Sequence, residues 1–161
     1  IARFDRSTIE IRIVDVQECP LADLAVAALI FSTLKALVSG RWSTHAEQRH
    51  WGVAPLAVLL DRTIHHAEGA PIEESAYAAL FSVENEKGLT AGRLWQQIFE
   101  VLSKEGELAP ALCQPLEVVL ERGSLASRIV RRLGAEPAKP AVARVYGELC
   151  RCLAEGRLFA D

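Results

Sequence analysis

The chain opens with a regular alternation of hydrophobic and polar positions. The stretch STIEIRIVDV at residues 7–16 places isoleucine at every second position, with polar or charged residues in between. A period of two in β-branched residues is typical of a strand with one buried face. No second stretch of comparable strength occurs, and a lone strand cannot satisfy its own backbone hydrogen bonds. We therefore predict that this strand joins a larger sheet, completed by an upstream segment or by a partner.

The rest of the chain is patterned for helices. Pro20 suits the first turn of a helix. Residues 21–38 carry apolar side chains around most of the helix circumference, which predicts a helix buried on several sides. Residues 41–52 are polar and predict a loop or a short helix. Further helices are predicted at residues 55–68, 72–83, 91–105, 112–122, 125–133 and 141–154.

One strand followed by six or seven helices predicts an α+β chain that is mainly helical. We expect residues 1–161 to form a single mostly helical unit. In it, residues 1–19 form the strand segment of a larger sheet, and residues 20–161 form a helical bundle. The chain begins with Ile1 and enters strand-like sequence almost at once. We therefore expect it to be the C-terminal part of a larger protein.

Composition narrows the class of protein. Half of the residues are hydrophobic, 24% are charged and the formal net charge is −3, as in ordinary soluble domains. The basic residues are scattered, so we expect no nucleic-acid partner. The longest apolar run, residues 24–31, falls short of a membrane span, so we expect no membrane contact. Four cysteines without a secretory signal predict a reduced, cytoplasmic setting.

Several conspicuous residues fit plain structural roles. The histidines and cysteines lack the spacing of a metal site or redox pair. Trp42 and Trp51 flank a polar loop, and we expect them to pack it onto the helices rather than form a pocket rim. Residues 84–87 (ENEK) predict a solvated turn. We expect one solvated helix face that carries three arginines at helical spacing, Arg128, Arg131 and Arg132.

Glu10 and Arg12 are the strongest candidates for chemistry. They are two positions apart, so on a strand their side chains rise from the same face, about 7 Å apart. A carboxylate is a preferred ligand of Mg²⁺, and a guanidinium can hold phosphate oxygens with two parallel hydrogen bonds. This pair therefore suits a metal-bridged phosphate. The polar face of a half-exposed sheet, with a surface ion pair, explains the same residues as well or better.

The segment STIEIRIVDVQECPLADLAVAALI resembles the T-[VI]-E-[VI]-R-x-x-D segment of the glutamate–cysteine ligase type 2 and carboxylate–amine ligase family. The stretches GSLASRIVRRLG and VYGELCRCLAEGRLF also look like the closing helices of that family. The resemblance implies a fold similar to glutamine synthetase. It also implies a reaction in which ATP activates a glutamate-like carboxylate to an acyl phosphate, which an amine then attacks.

The same resemblance assigns roles to residues of this chain. It implies that Glu10 is a ligand of Mg²⁺ and that Arg12 contacts the phosphates of ATP, the substrate, during catalysis. Arg3 and Arg6, just upstream, are implied to face the same nucleotide cavity. The remaining sheet and the other metal-binding acids would lie outside this sequence. We therefore expect the chain alone to be inactive.

Three interpretations stay open at this point. The first is the C-terminal part of an ATP-dependent carboxylate–amine ligase, with a glutamate-like carboxylate and an amine as its small-molecule substrates. The second is a non-catalytic helical interaction module whose strand joins the sheet of a partner. The third is a degenerate ligase that keeps the fold without the reaction.

Overall fold

The structure is a computed structural model that describes residues 2–83 and 88–159. The turn predicted at residues 84–87 lies outside the described residues. The helical elements are α1 (Pro20–Val38), α2 (His45–His50), α3 (Val53–His66), α4 (Ser75–Ala79), α5 (Ala91–Lys104), α6 (Pro110–Arg122), α7 (Leu125–Leu133) and α8 (Lys139–Glu155). Two short strands precede them, β1 (Ala2–Arg3) and β2 (Thr8–Ile9). The prediction of a mainly helical α+β chain is confirmed, with eight α-helices in the described residues instead of six or seven.

The predicted strand at residues 7–16 is mostly wrong for the isolated chain. Only Thr8–Ile9 forms a strand, paired antiparallel with Ala2–Arg3 through Ala2 opposite Ile9 and Arg3 opposite Thr8. Residues 10–17 carry neither helix nor strand. The physical reason is that the described chain offers no further strand beside this segment, so its backbone has no sheet to join.

Helix α1 buries one side rather than several, which corrects the prediction for residues 21–38. Its buried side packs against α5 and α6, and consists of small and medium residues: Ala22, Ala25, Leu29, Ser32, Thr33 and Ala36. The opposite side leaves Leu24, Phe31 and Val38 more than 60% exposed. The helix has a mean hydropathy of 1.9 and sufficient length to cross a membrane. Its packed inner side makes it part of the helical core of this chain.

The main core lies between α1, α3, α5 and α6. It includes Leu94, Ile98 and Leu102 of α5 and Leu116 of α6, all at most 5% exposed. Helix α5 begins at Ala91, as predicted, and the Thr90 side chain accepts a hydrogen bond from the backbone of Arg93 in its first turn. The amphipathic spacing read from the sequence therefore describes α5 correctly.

Helix α4 is shorter than the predicted helix at residues 72–83. The backbone just before it pairs instead with the backbone that leads into α5: Ile72 N–H donates to Leu89 O at 2.9 Å, and Ala91 N–H donates to Ala70 O at 2.8 Å. The bridge between Pro71 and Thr90 keeps this stretch of backbone extended, and the helix begins only at Ser75.

The two tryptophans pack as expected onto the main core. Trp42 lies against the ring of Phe81, with 6.4 Å between ring centroids, and Trp51 meets Tyr77 edge-on at 5.2 Å. These contacts hold the polar segment that contains α2 on α4 and its C-terminal turn. The preferred interpretation, packing of the loop onto the helices, is confirmed.

A second, smaller cluster lies between α7, α8 and the C-terminal segment. Val145, Cys152 and Phe159 form its buried centre. Its apolar margin consists of Leu125, Ile129, Leu133 and Leu149. Gly123, between α6 and α7, has a φ of +86°, and a Cβ there would collide with the carboxylate of Glu68. The backbone that leads into this cluster therefore requires glycine at position 123.

Candidate functional site

The residues singled out in the sequence meet at the N-terminus of the chain. Pairing of β1 with β2 brings Arg3 beside Glu10, with 3.6 Å between Arg3 Nη1 and Glu10 Oε2. Arg12 donates to both oxygens of the same carboxylate, from Nε to Oε1 at 2.9 Å and from Nη2 to Oε2 at 2.9 Å. Asp5 links Arg3, at 3.2 Å, to Arg6, at 3.7 Å. We call these five residues the N-terminal charge cluster.

The N-terminal charge cluster lies at the surface. The Arg12 side chain is 59% exposed and the Glu10 side chain 38% exposed. Ion pairs at such exposure contribute little to folding, on the order of 0–1 kcal/mol each. The cluster therefore does not stabilise the fold appreciably, and its side chains are accessible to a ligand.

The chemistry open to this cluster follows from its charges. Three guanidinium groups and two carboxylates leave an excess of one positive charge, which favours an anion such as a phosphate. Glu10 is the carboxylate nearest to Arg12. A metal ion bound by Glu10 would take its other ligands from phosphate oxygens and water. Mg²⁺ is commonly bound in this way. In the described residues, no group of three or more His, Cys, Asp or Glu side chains could hold a metal ion.

A second polar arrangement, missed in the sequence, is buried. Glu18 and Arg128 have fully buried side chains and form a two-pronged ion pair, with Nη1 to Oε1 at 2.6 Å and Nη2 to Oε2 at 3.2 Å. Phe159 N–H donates to Glu18 Oε1 at 3.1 Å, and Phe159 O accepts from Arg128 Nη1 at 3.0 Å. Arg128 Nε also donates to Gly123 O at 3.2 Å. We call Glu18, Arg128 and Phe159 the buried clasp.

The buried clasp corrects the prediction for the arginines of α7. Arg128 was expected on a solvated face with Arg131 and Arg132, yet Arg128 is 0% exposed. Its spacing of three residues from Leu125 places it beside the apolar stripe of α7, which is a signal in the sequence. By spacing alone, Arg132, seven residues from Leu125, could be buried as well, yet its side chain is 52% exposed. Arg128 is the buried one because Glu18, 110 residues away in the chain, pairs with it.

The buried clasp also fixes the end of the segment that carries the charge cluster. Glu18 lies in the turn before α1, and Gln17 N–H donates to Asp23 Oδ1 in the first turn of α1 at 2.8 Å. Residues 10–16 therefore extend from residues 17–18, which are hydrogen-bonded to α1 and to the buried clasp. The exposed cluster and the helical body of the chain are joined through this short connection.

Acid should weaken the buried clasp. Burial opposes ionisation of Glu18, but hydrogen bonds from the Arg128 side chain and from backbone N–H groups outweigh it and hold the pKa of Glu18 below its ordinary value of 4.5. A carboxyl group whose pKa is lower in the folded state stabilises the fold above its unfolded pKa. That contribution disappears as the pH falls through the lower, folded pKa.

We therefore expect the free energy of unfolding of the wild-type chain to fall as the pH drops below about 4.5. The comparison is with Glu18→Gln, which removes this titration and should lose less stability over the same interval. Urea unfolding between pH 3 and pH 7, followed by circular dichroism, measures both. Parallel curves for the two chains would show that Glu18 does not contribute to the acid response.

Comparison with known proteins returns no match: no family model, no curated protein and no solved structure is similar to this chain.

Proposed function

We propose that this chain is the C-terminal part of an ATP-dependent carboxylate–amine ligase of the glutamate–cysteine ligase type, with a glutamine-synthetase-like fold in the complete enzyme. In this proposal Glu10 holds Mg²⁺ against the phosphates of ATP. Arg12 neutralises the charge that develops as the γ-phosphoryl group moves to a glutamate-like carboxylate. An amine then attacks the acyl phosphate and forms the amide bond.

One observation carries the proposal: Glu10 and Arg12 lie in direct contact on an accessible surface, with Arg3 beside them. Phosphoryl transfer needs a metal-binding oxygen and fixed cations close together, because charge spreads over several phosphate oxygens in the transition state. Arg6, joined through Asp5, would extend the cationic surface toward the nucleotide. The segment resemblance and this clustering point to the same residues.

The proposal requires neighbours for residues 10–16. In the proposed enzyme this segment is a strand whose sheet, further metal-binding acids and glutamate contacts come from outside the described chain. The 161 residues alone are then inactive. The open side of α1 and the lack of backbone–backbone hydrogen bonds at residues 11–16, among the described residues, are consistent with that requirement.

A non-catalytic interaction module is the second candidate. The observation that favours it is the apolar surface around the segment, where Ile13 and Val16 are more than 70% exposed. In that case the Glu10–Arg12 ion pair is a surface contact without a catalytic role. The two candidates differ in whether Mg–ATP is needed.

The test uses the protein as its source produces it, captured with an antibody against this chain. The ligase proposal expects ADP release that requires Mg²⁺, ATP, glutamate and one member of an amine panel. Arg12→Ala, introduced into the encoded sequence, should lower kcat by about 10²–10³-fold, because one preorganised charge contact to the transition state is lost. The intact mass, compared with 17.6 kDa, shows whether further segments are joined to this chain.

Arg49→Ala is the matched control, since Arg49 is an exposed arginine on α2, outside the N-terminal charge cluster. It should leave turnover unchanged. Full activity in both Arg12→Ala and Glu10→Ala would refute the site assignment. No Mg–ATP-dependent turnover with any amine would favour the interaction module or a degenerate ligase.

A further inference from the structure

An apolar groove runs between residues 7–16, here called the N-terminal segment, and the outer side of α1. Its volume is about 340 Å³. Its two walls are formed by Ile9, Ile11 and Val14 of the segment, and by Ala27, Ile30 and Phe31 of α1. Phe31 is 69% exposed. An apolar surface of this kind, bordered by charged residues, is typical of a site where another protein surface docks.

The backbone beside this groove is open as well. In the described part of the chain, residues 11–16 form no backbone–backbone hydrogen bond. β1 pairs with one edge of Thr8–Ile9, and no other strand among the described residues pairs with the opposite edge. An unpaired edge with alternating β-branched residues is a template for strand addition. The occupant is therefore expected to provide a strand.

The charges of the segment identify which strand fits. Among antiparallel pairings of the segment with itself that keep the apolar face on one side, three registers lie near its centre. One places Glu10 opposite Glu10, and another places Arg12 opposite Arg12, so both put like charges together. The third places Ile11 opposite Ile11 and sets each Glu10 opposite an Arg12 of the other strand. Only the third register is complementary in charge.

We propose that two copies of this chain pair through this segment, antiparallel and centred on Ile11. The register also sets each Ile9 opposite an Ile13, so the apolar residues of both copies share one face. Pairing through the free edges gives a four-stranded antiparallel sheet in the order β1, β2, β2 and β1, with a two-fold axis at Ile11. In this sheet Ile9 and Ile11 stay on the groove side of α1 and Ile13 joins them there, whereas Val14, which lines the groove in the single chain, moves to the opposite face.

This inference does not rest on the proposed ligase activity. Strand pairing uses a backbone edge of the segment, to which the ligase proposal assigns a further strand of its own sheet, so the two proposals give this edge different neighbours. A dimer can therefore form in a protein without ligase activity, and ligase activity can occur without this dimer. The test below contains neither Mg²⁺ nor ATP, so its failure says nothing about the proposed function.

The test is the solution mass of the purified 161-residue chain, measured by size exclusion with light scattering. We expect twice 17.6 kDa for the wild type. Glu10→Arg and Arg12→Glu each convert two favourable cross-strand pairs into two like-charge pairs, so each should raise the dimer Kd by about tenfold or more. An equimolar mixture of the two variants should dimerise again. One variant carries only arginine at these two positions and the other only glutamate, so every cross-strand pair in the mixed dimer joins opposite charges.

The mixture separates pairing between copies from effects within one copy. Loss of the Glu10–Arg12 contact within a chain also weakens each variant alone, but only cross-strand pairing predicts that mixing restores the dimer. Arg49→Glu is the charge control and should dimerise like the wild type. A wild-type mass of 17.6 kDa at a chain concentration of about 100 µM would overturn the proposal, and so would single variants that stay fully dimeric or a mixture that stays monomeric.

Discussion

Replacing Arg128 by methionine should lower the free energy of unfolding by about 3–5 kcal/mol at pH 7. Methionine keeps much of the volume of the arginine stem but removes both guanidinium donors to Glu18. The Glu18 carboxylate would then remain buried with backbone N–H groups, including that of Phe159, as its donors. Leaving one member of a buried ion pair without its countercharge costs far more than the intact pair contributes. Urea unfolding at pH 7 measures the loss.

The pH dependence of stability in the Arg128→Met variant is a second, independent test of the buried ion pair. Without the guanidinium, burial should raise the folded pKa of Glu18 above its unfolded value, since desolvation is the largest influence on this group. The folded state then binds the proton more tightly, so the variant should recover stability as the pH falls from 7 toward 5. The wild type should recover none in this interval, because the folded pKa of its Glu18 is lowered.

Two further variants complete the comparison. Arg132→Met alters an arginine of the same helix whose nearest carboxylate, on Glu148, is 3.9 Å away at the surface, and it should cost less than about 1 kcal/mol. Glu18→Leu combined with Arg128→Met removes both charges and should be more stable than Arg128→Met alone. Equal losses for Arg128→Met and Arg132→Met would show that the buried clasp contributes nothing special.

The sequence predicts the helices well because their signals are local. Ser124 and Thr90 accept hydrogen bonds from the backbone of the first turn, and α7 begins and ends where the pattern places it. Pro20 likewise opens α1. Each of these signals acts within four residues, so no knowledge of the tertiary structure is needed to use it.

The features that the sequence does not predict depend on distant partners. The alternation in residues 7–16 correctly marks strand-forming side chains, but a strand exists only where a second backbone pairs with it. Among the described residues, that partner exists only for Thr8–Ile9. The burial of Arg128 depends in the same way on Glu18 at the other end of the chain. In the candidate site, the contact between Glu10 and Arg12 could be predicted from the sequence. Two residues on one face of a strand are neighbours wherever the strand lies.

The incomplete strand at residues 7–16 and the buried Arg128 meet at residues 17–18, and this connection bears on function. Residues 17–18 are attached to the helical body by the buried clasp and by Asp23, while residues 10–16 lie outside the described helices and strands. The chain thus presents a strand-forming segment from a fixed base. Both proposals use this arrangement: the ligase proposal places its phosphate-binding face on the segment, and the dimer proposal uses its free edge.

Phe159 should be the apolar residue that holds the C-terminal segment in place. Its ring is fully buried in the smaller cluster with Val145 and Cys152, and its backbone N–H and C=O both bind the Glu18–Arg128 pair. Phe159→Ala should lower the free energy of unfolding by about 3–5 kcal/mol, because the cavity cannot close fully around alanine. Urea unfolding monitored by circular dichroism gives the magnitude.

The location of the effect distinguishes this role from general loss of core packing. Since Phe159 contacts α7 and α8 rather than the main core, amide exchange in Phe159→Ala should accelerate more in those two helices than in α5. Phe159→Leu retains most of the apolar volume and should cost less than about 1.5 kcal/mol. Tyr146→Ala, a half-exposed aromatic on α8, should change stability by less than the leucine variant. A loss below about 1 kcal/mol for Phe159→Ala, with exchange unchanged in α7 and α8, would mean that the ion pair holds the C-terminal segment without help from the ring.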